Sequence, residues 1–241
     1  MQFVFLVGGF GTRLGEKTKQ TPKPLLPIGG QPFLLYLVQW ARWAGAHEIL
    51  LLSGYLGQQI DEFAQTYSTD DVVIKVVHET EPLGTGGSLI HAYPHLEDSF
   101  IASNGDSWLA CDPRALISLS QNNPKQLVSM ALRKIADTSS SGVVKLDDNG
   151  TVLSFAERGE AKPGLINAGI YFMKKELFEA HRASVQKLSL ESDIFQTIAQ
   201  KGKISGLAHD GYFIDIGTPL NYSLADNEFS QEFNMFLEPE K

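Results

Sequence analysis

Short apolar runs alternate with longer amphipathic stretches through the first hundred residues, and no other feature restricts the possible folds so much. Residues 3–7, 48–53, 72–78 and 100–103 read as strands. Residues 32–43, 58–67 and a segment near 88–93 read as helices, the first opened by Pro32 and followed by Gly45. Strands joined through helical crossovers run parallel, with helices on both faces of the sheet. The implied class is α/β, a doubly wound and mostly parallel Rossmann-like sheet with ligands at the carboxyl ends of its strands. After Pro113 the rhythm changes. Residues 126–132, 142–146, 152–155 and 165–173 read as strands, and Asp148-Asn149-Gly150 marks a hairpin turn. Helices are expected near 175–181 and 190–200, short strands over 204–209 and 212–216, and a last helix over 219–232. The acidic tail from residue 234 reads as frayed.

No linker or repeat divides the 241 residues. They are read as a single domain, with a nucleotide-binding half over about 1–112 and an acceptor half over about 113–232. An apolar content of 43% suffices for a core. The net charge of −8, without a basic run, argues against nucleic acid and anionic membrane as partners. The single cysteine, Cys111, excludes an internal disulfide and reads as a buried thiol. The apolar start lacks a basic flank and stops after five residues, unlike a signal peptide, and no run reaches membrane-spanning length. A cytoplasmic protein is expected, and assembly into a homo-oligomer is compatible with the sequence.

The first strand feeds Gly8-Gly9-Phe10-Gly11-Thr12-Arg13-Leu14, and Thr21-Pro22-Lys23-Pro24 follows. Glycines let a backbone approach a ligand and turn N–H groups toward it, while Arg13 and Lys23 add positive charge beside that nest. Such a turn suits a polyphosphate. It is not a Walker loop, because Gly11 is followed by Thr12-Arg13. It is not a dinucleotide fingerprint either, because Leu14 stands where the third glycine belongs. A second glycine-rich loop, Leu83-Gly84-Thr85-Gly86-Gly87-Ser88, leaves room for a base and ribose. It also suits a helix N-terminus capped by Thr85 or Ser88.

Asp106 and Asp215 each follow an apolar strand. Taken singly, such an Asp is commonly a turn or a cap. As a pair they suit Mg²⁺, which takes a few protein oxygens together with phosphate oxygens and water. Asn167 suits sugar hydroxyls or the capping of a bulge. His91 and His95 stand at i, i+4 without a third ligand, which does not make a zinc site. Trp40 and Trp43 share helical spacing with Leu37 and read as core or interface.

Gly-Gly-x-Gly-Thr-Arg-Leu followed by Pro-Lys-Pro-Leu-x-Pro-Ile resembles the signature of the sugar-1-phosphate nucleotidyltransferases. Those enzymes join a sugar 1-phosphate to a nucleoside triphosphate and release pyrophosphate. The resemblance implies a glycosyltransferase-A-like sheet with a small acceptor-side β extension. It implies Arg13 and Lys23 as catalytic, Asp106 and Asp215 as Mg²⁺ ligands, and nucleotide contacts at Leu6, Gly8, Gly9, Gly11, Thr12, Gly84, Thr85 and Gly86. On the acceptor side it implies Glu157, Arg158, Asn167 and Gly169. Arg158 replaces the family's lysine, so either Arg158 or Lys162 supplies the charge for the sugar phosphate.

Similarity extends from Phe3 to Tyr222. It is greatest to D-glycero-α-D-manno-heptose 1-phosphate guanylyltransferases, through Gly164-Leu-Ile-Asn-Ala-Gly-Ile-Tyr171, Leu188-Ser-Leu-Glu-Ser-Asp-Ile-Phe195 and Tyr212-Phe-Ile-Asp-Ile-Gly-Thr-Pro219. GTP is then the implied nucleotide. The nearest alternative is a uridylyltransferase for N-acetylmuramate or hexose 1-phosphate. A nucleotide-sugar-sensing regulatory subunit should have lost Arg13, Lys23 or a metal Asp, and this chain has all four residues.

Overall fold

A computed structural model of the chain describes residues 1–139, 142–156, 162–182 and 186–238. Along the chain run β1 (Gln2–Leu6), the two-residue strands β2 (Pro27–Ile28) and β3 (Gln31–Pro32), α1 (Phe33–Trp43) and β4 (Glu48–Ser53). Next come α2 (Gly57–Tyr67), β5 (Val73–His78), α3 (Gly84–His91), β6 (Ser99–Asn104), β7 (Ser107–Leu109) and α4 (Arg114–Asn122). Then follow β8 (Val128–Ile135), β9 (Val143–Leu146), β10 (Val152–Ala156), β11 (Gly164–Lys174), α5 (Gln196–Ala199), β12 (Ile204–His209), β13 (Phe213–Asp215) and α6 (Pro219–Leu237). The class is α/β.

Two compact units divide the chain. The first joins Met1–Pro82, Ser103–Ala110 and Tyr212–Lys241, and the second joins Leu83–Ala102 and Cys111–Gly211. Phe213–Asp215 pairs antiparallel with Ser107–Leu109, which brings the C-terminal segment into the first unit.

In the first unit β1, β4 and β5 form a parallel ladder, Phe5 opposite Leu51 and Leu51 opposite Val76. The apolar runs of β1 and β4 are buried, as parallel strands covered on both faces require, whereas in β5 Ile74 is buried and Val73 is exposed. The edge of Trp40 on α1 meets the Phe3 ring at 5.6 Å. Trp43 is half-buried and meets Phe236 at 5.0 Å. That contact belongs to a longer final helix than the 219–232 expected. Phe229, Phe233 and Phe236 recur at helical spacing against Trp108, at 5.3 Å each, and their burial carries α6 to Leu237.

In the second unit the strand order is β10-β9-β11-β8-β12. All of these pairings are antiparallel except β8 with β12. The expected acceptor-side strands are therefore present. Tyr171 and Phe195 meet edge-on at 5.1 Å in its core. α4 lacks any sequence expectation of its own, since Leu116 is its one large buried apolar residue. Pro94 ends α3 early, so His95 falls in a separate 3₁₀ turn over Tyr93–His95 and shares no helix face with His91. Among the described residues no helix is long and apolar enough to cross a membrane.

Candidate active site

The signature turn begins two residues after β1. Gly11 has φ +63°, and a Cβ there would stand 2.8 Å from Thr18 Cγ2, so glycine is required on both counts. Thr18, nearly fully buried, donates to the carbonyls of Gly11 at 3.0 Å and Gly15 at 3.2 Å, which ties the 3₁₀ turn Thr12–Thr18 to its own start. Nothing lies within 4 Å of the Cβ position at Gly9, so that face of the turn is open. Leu6 is half-buried, while Thr12 and Arg13 are exposed.

Lys23 sits in a 3₁₀ turn between Pro22 and Pro24. The prolines fix φ on either side and hold the lysine in place although it is only 8% exposed. Its ammonium forms an ion pair with Asp106. Asp106 follows β6 at Gly105, whose N–H donates to the Leu6 carbonyl at 3.0 Å. The Asp106 carbonyl accepts from Ile216 N–H at 2.9 Å, bringing the β13 end alongside. Asp215 Oδ1 accepts from Gly217 N–H at 2.6 Å. A Cβ on Gly217 would stand 2.7 Å from Asp215 Oδ1, 3.3 Å from Arg13 Nη2 and 3.3 Å from Lys23 Nζ. Arg13, Lys23, Asp106 and Asp215 thus converge, with Gly217 as the residue that makes room. Gly217 had no role in the sequence-based expectation beyond its place in the Asp-x-Gly-Thr-Pro stretch. Thr218 of the same stretch caps α6 by accepting from Asn221 N–H at 3.2 Å.

A Cβ on Gly8 would stand 2.9 Å from Glu79 Oε1. The other described candidates belong to the second unit. Gly84 has φ +71°, and a Cβ there would stand 2.6 Å from the Leu188 carbonyl oxygen. Gly86 and Gly87 N–H groups donate to that same carbonyl at 2.8 and 3.1 Å. Close approach of the chain's own backbone thus requires the glycine at 84. Thr85 Oγ1 accepts from Leu190 N–H at 2.9 Å instead of capping α3. On β11, Asn167 Oδ1 accepts from Gly169 N–H at 3.0 Å, where the register with β8 breaks and Gly169 takes φ +76°. Asn167 therefore caps a bulge, and its amide nitrogen donates to Tyr171 Oη and Glu191 Oε1 at 2.7 Å each. Glu191 carries no role in the sequence reading, although it lies in the Leu188–Phe195 stretch that shares in the resemblance. Glu157 and Arg158 lie outside the described residues. Lys162 is exposed, and its carbonyl accepts from Thr138.

The nucleotidyl transferase family model matches residues 2–232. The chain belongs to that family. The D-glycero-α-D-manno-heptose 1-phosphate guanylyltransferase of Campylobacter jejuni is 35% identical over 92% of this chain and 97% of its own length. The protein of the same name from Aneurinibacillus thermoaerophilus is 33% identical over 95% and 98%. The crystal structure of HddC from Yersinia pseudotuberculosis matches with a TM-score of 0.83 at 30% identity, over 95% of this chain and 99% of that one. A second structure of that protein, complexed with GMP-PN, matches at 0.80.

In this nucleotidyl transferase the two aspartates fit a hard divalent cation by the chemistry of their donors. Burial pushes the Asp215 carboxyl up, and the neighbouring Asp106 charge pushes it the same way. The Gly217 N–H, Lys23 and Arg13 partly offset them. A cation placed beside the Asp215 carboxyl would favour its ionised form. Mg²⁺ takes only a few protein oxygens, and substrate and water oxygens would complete its shell. Cys111 is 4% exposed and its thiol is pushed up to about 12 by burial and the Asp112 charge, which makes it inert.

Proposed function

We propose that this chain is a guanylyltransferase that joins GTP to D-glycero-α-D-manno-heptose 1-phosphate, giving GDP-heptose and pyrophosphate. The observation that carries this is the convergence of Arg13, Lys23, Asp106 and Asp215 in a chain whose near-full-length relatives bear that name. The HddC complex with GMP-PN supports a guanine nucleotide.

The sugar phosphate is already an anion at neutral pH, so attack on the α-phosphorus needs no general base. What the protein supplies is alignment and charge neutralisation. Arg13 neutralises the leaving pyrophosphate. Lys23, desolvated and held by its prolines, neutralises the phosphates around the reacting centre. Asp106 and Asp215 would hold Mg²⁺, which when bound screens the repulsion between the two substrates. Leu6, Gly8, Gly9, Gly11 and Thr12 line the nucleotide's turn. Gly84, Thr85 and Gly86 are assigned to base and ribose, and Asn167 and Gly169 to the sugar. Glu157 and either Arg158 or Lys162 are assigned to the sugar and its phosphate.

Pyrophosphate release measured with GTP, UTP, ATP and dTTP against a panel of sugar 1-phosphates tests the assignment. GTP with the heptose phosphate is expected to be turned over fastest. A clear preference for UTP would replace it with the uridylyl alternative.

A further inference from the structure

α6 begins where the Asp215 stretch ends. Thr218 caps it, and the buried Tyr222 stands one turn further on. The Tyr222 hydroxyl donates at 2.8 Å to the carbonyl of Pro27, four residues past Lys23. The ammonium of Lys17 lies over the Tyr222 ring, 4.8 Å from its centroid. Lys17 stands four residues past Arg13 in the same 3₁₀ turn, Thr12–Thr18. One side chain therefore touches both cationic segments while it stands on the helix that leaves the Asp215 stretch. The hydroxyl holds one segment by a directional bond, and the ring face attracts the cation of the other.

Asp226 and Ser230 follow Tyr222 at i+4 and i+8, on the same face of α6. Asp226 Oδ1 accepts from Gly29 N–H at 2.9 Å. Ser230 Oγ lies 2.5 Å from Tyr36 Oη, which donates to the Ile28 carbonyl at 3.1 Å. These contacts fasten the rest of the β2–β3 hairpin to the helix. Tyr222 differs from them in reaching the Arg13 turn as well. A transfer that needs no general base depends on how its charged groups stand relative to the reacting phosphates, and small misplacements are costly. We propose that Tyr222 is a positioning residue for the transfer: it holds the Arg13 turn and the Lys23 segment in register with Asp215. This rests on the roles assigned to those three residues in the reaction, and not on the identity of the base.

The test is kcat, KM and Tm in wild type, Tyr222→Phe, Tyr222→Leu and Asp226→Ala. GTP and the heptose 1-phosphate are the substrates, or UTP and a hexose 1-phosphate if wild type prefers that pair. Tyr222→Phe keeps the ring for Lys17 and loses only the Pro27 bond, so kcat should fall roughly 10-fold. Tyr222→Leu loses both contacts, and kcat should fall roughly 100-fold. KM for each substrate should stay within about twofold in both, because the loss falls on the transition state. Asp226→Ala should lower Tm and leave kcat unchanged. Tyr222 variants with a lowered Tm and the wild-type kcat would mean that the residue only stabilises the fold, and would overturn the inference while leaving the transfer intact. A kcat loss in Asp226→Ala equal to that in Tyr222→Phe would assign the effect to the whole hairpin and overturn it too. A wild type inert with both substrate pairs overturns the inference and the transfer reading together.

Discussion

At the scale of single residues, the candidate site depends on charge held where water is partly excluded. Lys23→Ala and Asp106→Ala should each leave a folded chain, by circular dichroism, with turnover down by roughly 100-fold or more. Near-normal turnover in either would remove that residue from the chemistry. Asp215 makes a subtler prediction. Burial and Asp106 raise its pKa in the fold, so the folded state holds the proton more tightly than the unfolded chain does. Its contribution to stability is then fully present below the ordinary carboxylate range and is lost as pH rises through the folded pKa. At pH 7 ionisation of this carboxyl costs more in the fold than in the unfolded chain, which weakens the fold. Asp215→Asn keeps an oxygen for the Gly217 N–H and should raise Tm at pH 7 while abolishing turnover. The difference in Tm should vanish in strong acid, and a variant less stable than wild type at pH 7 contradicts the electrostatic picture. Residue identity was legible at these positions because Pro-Lys-Pro and Asp-x-Gly-Thr-Pro are stretches of sequence. The Gly8–Glu79 and Gly217–Arg13 proximities were not, since they join residues far apart in the chain.

At the scale of elements, period and breaker residues carried most of the fold. Glu48–Ser53 and Ile204–His209 form as their apolar patterns require. The exceptions have tertiary causes. The frayed tail expected from residue 234 is helical to Leu237, because Phe233 and Phe236 pack on aromatic partners from distant segments. Phe233 is fully buried, and Phe233→Ala should cost about 3–5 kcal/mol in urea unfolding. A cost below about 1 kcal/mol would mean that the end of α6 is not part of the core. In the second glycine loop the Cβ position at Gly84 points at the Leu188 carbonyl, a contact that the loop's composition alone does not reveal. Gly84→Ala combines that clash with φ +71° and should destabilise the chain by about 1–3 kcal/mol. An unchanged urea midpoint would contradict the contact.

At the scale of the whole molecule, each of the two units contains segments distant in sequence, so neither corresponds to one stretch of chain. Cys111 reports on this. Buried and with its thiol pushed up to about 12, it should resist alkylation in the native protein and react only as the second unit opens. Labelling at the rate of an exposed thiol would contradict its burial. The molecule as a whole is assigned one bond rearrangement, cleavage between the α- and β-phosphorus of GTP with capture by a sugar phosphate. GTP labelled at the α- or the γ-phosphorus, incubated with the heptose 1-phosphate and Mg²⁺, tests this most directly. Guanylyl transfer places the α label in the nucleotide sugar and the γ label in pyrophosphate. A γ label in the sugar, or no labelled nucleotide sugar, would contradict it.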